Sequence, residues 1–115
     1  MWLVTGGAGY IGAHVVRHLQ RSGRAVAVID NLSTGLRSKV ADGVPFVEGS
    51  VADRARLKET FANYPITGVL HLAAKKAVGE SVERPLWYWE ENVGSLQVLL
   101  EEMVAAGIAQ FVYSS

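Results

Sequence analysis

No cysteine occurs among the 115 residues, so disulfides and thiolate zinc sites are excluded, and a reducing compartment, the cytoplasm, is the expected location. Net charge is lacking too. Eleven Lys plus Arg balance 11 Asp plus Glu, with no basic run or basic face to attract phosphodiester backbones through counterion release. Nucleic acid is therefore not an expected partner. The N-terminal MWLVTGG has neither the basic segment nor the apolar stretch of a secretory signal, and no apolar run approaches the ~18 residues of a membrane span, so no membrane partner is expected either. Internal repeats, low-complexity tracts and linkers are also missing. What remains is one domain over residues 1–115, 50% hydrophobic and long enough to bury a core.

Short apolar runs alternate with helical patterns along this domain. WLVT (2–5) is cut off by glycine, as a strand buried on both faces would be. From Tyr10 the apolar positions Ile11, Val15 and Leu19 recur every four residues, opposite Arg17, Gln20 and Arg21, until Gly23 stops the helix. AVAVID (25–30) reads as a second strand. VPFVEG (44–49) reads as a third, after the turn-rich NLSTGLRSKVADG. Asp53 can cap a helix that places Leu57 and Phe61 one turn apart and ends at Asn63–Pro65. GVLHLAA (68–74) reads as strand four, and a helix from about Asn92 to Ala106 carries a stripe of Val93, Leu96, Leu99, Leu100, Met103 and Val104. QFVYSS is strand five. This alternation predicts an α/β fold, a doubly wound, Rossmann-like parallel sheet of five strands in order 3-2-1-4-5, with a ligand crevice beyond the carboxyl ends of strands one and four.

Chemistry concentrates at those ends. Gly6, Gly7, Gly9 and Gly12 fall where strand one turns into helix one, and both G-x-x-G-x-x-G and G-x-G-x-x-G can be read from them. Side chains there would hold a pyrophosphate away from the helix N-terminal amides, so dinucleotide binding explains the glycines better than a plain turn does. Asp30 ends strand two, 18 residues after Gly12. A carboxylate there accepts from an adenosine ribose and repels a 2′-phosphate, favouring NAD over NADP; the competing reading is an Asx turn. Arg37 lies seven residues further on and is expected in solvent. His14 and His18 have the i, i+4 spacing of a metal pair, but the metalloprotease Glu is missing and two solvated histidines are expected, with no metal. His71 is expected to be a half-buried, hydrogen-bonded strand residue rather than a base. Trp87, Tyr88 and Trp89 are expected to serve packing or a subunit contact rather than a sugar platform.

VTGGAGYIGAH, VIDNLSTG, HLAAKKAVGESVERP, ENV and FVYSS, in that order and spacing, resemble the UDP-glucose 4-epimerases of the extended short-chain dehydrogenase/reductase class. The resemblance covers essentially the whole chain, and KAVGES favours these enzymes over sugar-nucleotide dehydratases and uronate epimerases. It implies that Tyr10 and Ile11, beside the turn glycines Gly6, Gly9 and Gly12, lie against the NAD pyrophosphate, that Asp30 holds the adenosine ribose, and that Asn31, Leu32, Ser33, Thr34 and Gly35 wrap that end of the cofactor. It also implies that Leu72, Ala73, Ala74 and Lys76 line the nicotinamide side and that Asn92 completes the site. Where the family commonly has Asp followed by an apolar residue, Ser50 and Val51 stand here, so the adenine would meet a weaker acceptor and the Val51 amide. A homodimer or larger assembly through helices at 86–106 is implied as well.

The family's reaction takes the sugar C4 hydrogen as hydride to bound NAD and returns it to the other face of a 4-keto sugar, interconverting UDP-glucose and UDP-galactose. It requires a Tyr-x-x-x-Lys pair. Four residues after Tyr10, Tyr64 and Tyr88 come His14, Gly68 and Asn92, so these 115 residues contain no such pair, and the substrate domain and the catalytic Ser or Thr after the SS are not among them. The expectation is therefore the NAD-binding part of such an enzyme, with the nucleotide sugar a partner of the complete enzyme only, and inactive alone. A stand-alone dinucleotide-binding or interaction module is the other reading.

Overall fold

Strand β1, Trp2–Thr5, sits at the centre of the sheet because its residues are apolar on both sides: Leu3 faces one layer and Val4 the other, and neither is exposed. A computed structural model describes residues 1–32, 35–72 and 85–113, with the main chain alone for 85 and 87–91. Its described elements follow β1 in the order α1 (Tyr10–Arg21), β2 (Val26–Asp30), a 3-10 turn (Arg37–Lys39), β3 (Phe46–Glu48), α2 (Arg54–Asn63), β4 (Gly68–His71), α3 (Pro85–Ala105) and β5 (Gln110–Tyr113). All strand pairs are parallel, in the order β3-β2-β1-β4-β5, as the alternation of runs predicts. Thr5 is in register with Ile29 on one side and with His71 on the other. The central strand therefore ends level with β4 and one residue before β2.

Strand alternation divides the core in two. Leu3, Ala27, Ile29, Val47 and Val69 pack with Leu57 of α2 and with Leu99 and Met103 of α3, whereas Val4, Val26 and Val28 pack with Val16 of α1 and with Ala8, Val40 and Val44. Each fully buried aliphatic side chain contributes about 1.5–3 kcal/mol. Asp53 caps α2 as its position predicts, its carboxylate accepting the Arg56 N–H at 3.1 Å. At the start of the same helix Arg54 donates to Glu102 (2.7 Å) and Glu101 (3.2 Å) of α3. The Glu102 hydrogen bond raises the Arg54 pKa, against an opposing push from partial desolvation, and Glu101 adds to the rise.

Two helix faces differ from the sequence expectation. In α1 the inward residues are Gly12, Ala13 and Val16, with Leu19 half-buried, whereas Ile11 is 62% exposed. Helix phase is set by the need to bring Gly12 onto the turn after β1, and that rotates Ile11 to the helix mouth. Helix α3 starts at Pro85, seven residues before the expected Asn92, because proline suits the first helical position, where no amide donor is needed. Its apolar stripe splits: Leu99 and Met103 enter the core, while Leu86, Val93, Leu100 and Val104 are 77%, 39%, 38% and 79% exposed. Strands three and four are shorter than their apolar runs. Residues 73 and 74 of the fourth run and 114–115 of the fifth lie outside the described residues. Among the described residues no helix is long and apolar enough to cross a membrane.

Candidate cofactor site

Parallel strands all present their carboxyl ends on one edge, and the ladders continue into the loops there. Gly6 N–H donates to Ile29 O at 2.9 Å, Gly49 N–H to Asp30 O at 3.1 Å, and Leu72 N–H to Thr5 O at 3.1 Å. The loops after β1, β2, β3 and β4 thus leave the sheet side by side at the position where chain direction switches around β1.

Gly6 takes φ +73°, which starts the turn, and Gly9 N–H closes it on Gly6 O at 3.1 Å. Gly12 then lies so close to the same carbonyl that a Cβ would stand 2.1 Å from Gly6 O and 2.8 Å from the Gly7 Cα. Helix α1 is consequently seated with its first turn directly on the strand end. Gly9 caps it without any side-chain hydrogen bond, and its first turn has no acidic residue. The amides of Tyr10 and Ile11, which have no intrahelical acceptor, and the positive end of the helix dipole therefore face the crevice with no carboxylate of that turn competing for them. This donor set fits a pyrophosphate.

Asp30 is buried, and both its carboxylate oxygens are engaged: Oδ2 accepts the Ala8 N–H at 3.0 Å and Oδ1 the Leu32 N–H at 2.8 Å. The second of these is an Asx turn, the competing reading of Asp30 from sequence, and it coexists with a position at the crevice edge. Each oxygen keeps a lone pair for a ribose hydroxyl. Asn31 is exposed. Leu32 has φ +62° and packs its side chain under the Val4–Val28 layer, and Gly35 is buried against Ala8. Ser33 and Thr34 lie outside the described residues, as do Ala73, Ala74 and Lys76. Arg37 is exposed, as expected, with its guanidinium 4.6 Å from the centroid of the Phe46 ring.

After β3, the Ser50 hydroxyl accepts the Ala52 N–H at 3.0 Å, and Val51 turns its side chain into the core, leaving only its main chain toward the edge. Leu72 likewise tucks its side chain against the Val4–Val28 layer. Asn92 is half-buried in the first half of α3, its carbonyl accepting the Ser95 hydroxyl at 3.3 Å. His14 and His18 are exposed, His14 edge-on to the Tyr10 ring. Among the described residues no three His, Cys, Asp or Glu side chains gather as a metal site.

His71 departs from its half-buried expectation: it is fully enclosed, Nδ1 sharing a hydrogen bond of 2.7 Å with Thr5 Oγ1, under the rings of Phe111 and Tyr113. Thr5 Oγ1 also accepts the Leu72 N–H at 2.9 Å. Sequence reasoning overlooked Thr5 and Ala8. The available signals were a hydroxyl closing an otherwise apolar strand and a methyl placed between two glycines.

A model of the NAD dependent epimerase/dehydratase family matches residues 2–115. The chain belongs to that family. Among its members, a UDP-glucose 4-epimerase from Streptomyces lividans is 46% identical over 115 residues, covering 99% of this chain. This chain spans only 35% of that relative's length. Two solved UDP-glucose 4-epimerases described as NAD complexes superpose on 99% of it. The one from Thermus thermophilus does so with TM-score 0.95 and 41% identity, the one from Brucella ovis with TM-score 0.94 and 46% identity. The chain covers 37% and 35% of those two structures. The family match takes in every carboxyl-edge loop of this epimerase/dehydratase family chain, from the glycine turn to Tyr113.

Proposed function

We propose that these residues are the NAD-binding part of a UDP-glucose 4-epimerase, an isomerase of UDP-glucose and UDP-galactose. The observation that carries the reading is the seat of Gly12 on Gly6 O, which brings an uncapped helix start with no acidic residue to the strand end. The relatives' NAD complexes support the choice of dinucleotide. In this reading the Tyr10 and Ile11 amides bind the pyrophosphate and Asp30 accepts from the adenosine ribose. The loop 31–35 closes that end of the cofactor. The Val51 amide and the second lone pair of Ser50 Oγ meet the adenine. Leu72, Ala73, Ala74, Lys76 and Asn92 border the nicotinamide. Bound there, NAD supplies the acceptor and donor of the C4 hydride. Titration calorimetry on the folded 115-residue chain is expected to show NAD binding, with NADP at least about tenfold weaker because its 2′-phosphate meets the Asp30 carboxylate. A folded sample that binds no NAD, or NADP equally well, overturns this reading.

A second copy of the chain is the proposed partner for α3. Leu86, Val93 and Leu100 recur every seven residues on its outer side, joined by Val104, and all four are exposed. Sedimentation is expected to show a dimer or larger species that Val93→Glu together with Val104→Glu converts to monomer. A wild-type chain that stays monomeric at high concentration contradicts this assignment.

A further inference from the structure

Ala8 is fully buried between two loops, and both its main-chain groups are taken by the same partner segment. Its N–H donates to Asp30 Oδ2 at 3.0 Å, and its carbonyl accepts the Leu36 N–H at 3.0 Å. Gly35 closes the contact, since a Cβ there would stand 2.8 Å from both the carbonyl carbon and the oxygen of Ala8. The other Asp30 oxygen holds the Leu32 N–H at 2.8 Å and so fixes Leu32 at φ +62°, the one left-handed non-glycine residue among those described. Asp30, Gly35 and Leu36 are thus fastened to the glycine loop by contacts that need no cofactor.

We propose that Asp30 is a positioning residue for the pyrophosphate loop, in addition to any ribose contact. Its carboxylate holds the Gly6–Gly12 turn in its binding shape through Ala8, and it couples the adenosine end of the site to the phosphate end. The ligand side of this proposal rests on the dinucleotide reading, but the clamp does not. The loop after β2 is then more than a ribose cover: displacing it loosens the phosphate amides.

Charge separates the two roles. Inorganic pyrophosphate has no ribose. If Asp30 served only the ribose, Asp30→Ala would leave pyrophosphate binding unchanged or tighten it, because a nearby negative charge is removed. As a clamp residue, its loss weakens pyrophosphate binding by at least about fivefold. Asp30→Asn keeps one acceptor oxygen and is expected to fall between Asp30→Ala and wild type. In the ligand-free chain, amide hydrogen exchange is expected to speed up at Ala8, Gly9 and Leu36 in Asp30→Ala while remaining slow at Val28 and Val69. Unchanged exchange at Ala8, or pyrophosphate binding equal to or tighter than wild type, overturns the clamp. Gly35→Ala provides the second variant: it spares the carboxylate but pushes on Ala8, and it is expected to weaken pyrophosphate in the same direction. A wild-type chain that binds neither NAD nor pyrophosphate removes the dinucleotide reading alone, and the exchange rates still decide the clamp.

Discussion

Replacing Gly12 with alanine is expected to abolish NAD binding and to destabilise the fold by about 3 kcal/mol or more, whereas Gly9→Ala is expected to cost binding with little change in stability. The difference lies in what each new methyl meets. At Gly12 it would lie 2.1 Å from Gly6 O, 2.8 Å from the Gly7 Cα and 2.9 Å from the Gly6 carbonyl carbon. All three are main-chain atoms, and no rotamer change can move them aside. Helix α1 would have to lift off the strand end, drawing Val16 out of its layer and turning the Tyr10 and Ile11 amides away from the crevice. At Gly9 the nearest atom is Gly6 O at 3.4 Å, an ordinary contact, so the fold accepts the methyl. That methyl instead occupies the space between the helix start and a pyrophosphate. Thermal melts paired with NAD calorimetry separate the two outcomes. Equal melting temperatures for Gly12→Ala and wild type would refute the seating argument.

The sheet order was legible in the sequence because buried parallel strands are continuous apolar runs and the segments between them have helical spacing. The phase of α1 was not, because counting apolar side chains gives weight to Ile11 and none to Gly12. Yet Gly12 is the residue that touches the strand turn. The early start of α3 has its local signal in Pro85, which suits the first helical position, although the apolar spacing begins only at Val93. The glycine turn, Asp30 and the Asx turn were all visible as local patterns. What local pattern could not reveal is which groups meet across the sequence: the Asp30 carboxylate holds the Ala8 amide 22 positions away, and the Thr5 hydroxyl the His71 ring 66 positions away. Both contacts depend on strand register, which the sheet as a whole sets.

No interconversion of UDP-glucose and UDP-galactose is expected from these 115 residues alone. General acid–base assistance accounts for about 10²–10⁴ in rate, and among the described residues the histidines and Tyr10 are not placed to provide it. His71, the titratable residue nearest the switch point in the strand register, is enclosed by Thr5, Phe111 and Tyr113 and cannot reach a sugar hydroxyl. His14 and His18 are exposed along α1. Tyr10 does have a lysine beside it, but Lys39 Nζ lies 5.8 Å from the ring centroid as a cation over the face. That pair also stands at the start of α1, where the phosphates would sit, rather than beside the nicotinamide. In this reading neither His71 nor the Tyr10–Lys39 pair is placed to move the proton that must accompany the hydride. A coupled assay for either sugar nucleotide is expected to read the rate without enzyme, with NAD present in excess. Turnover above that rate would contradict this expectation.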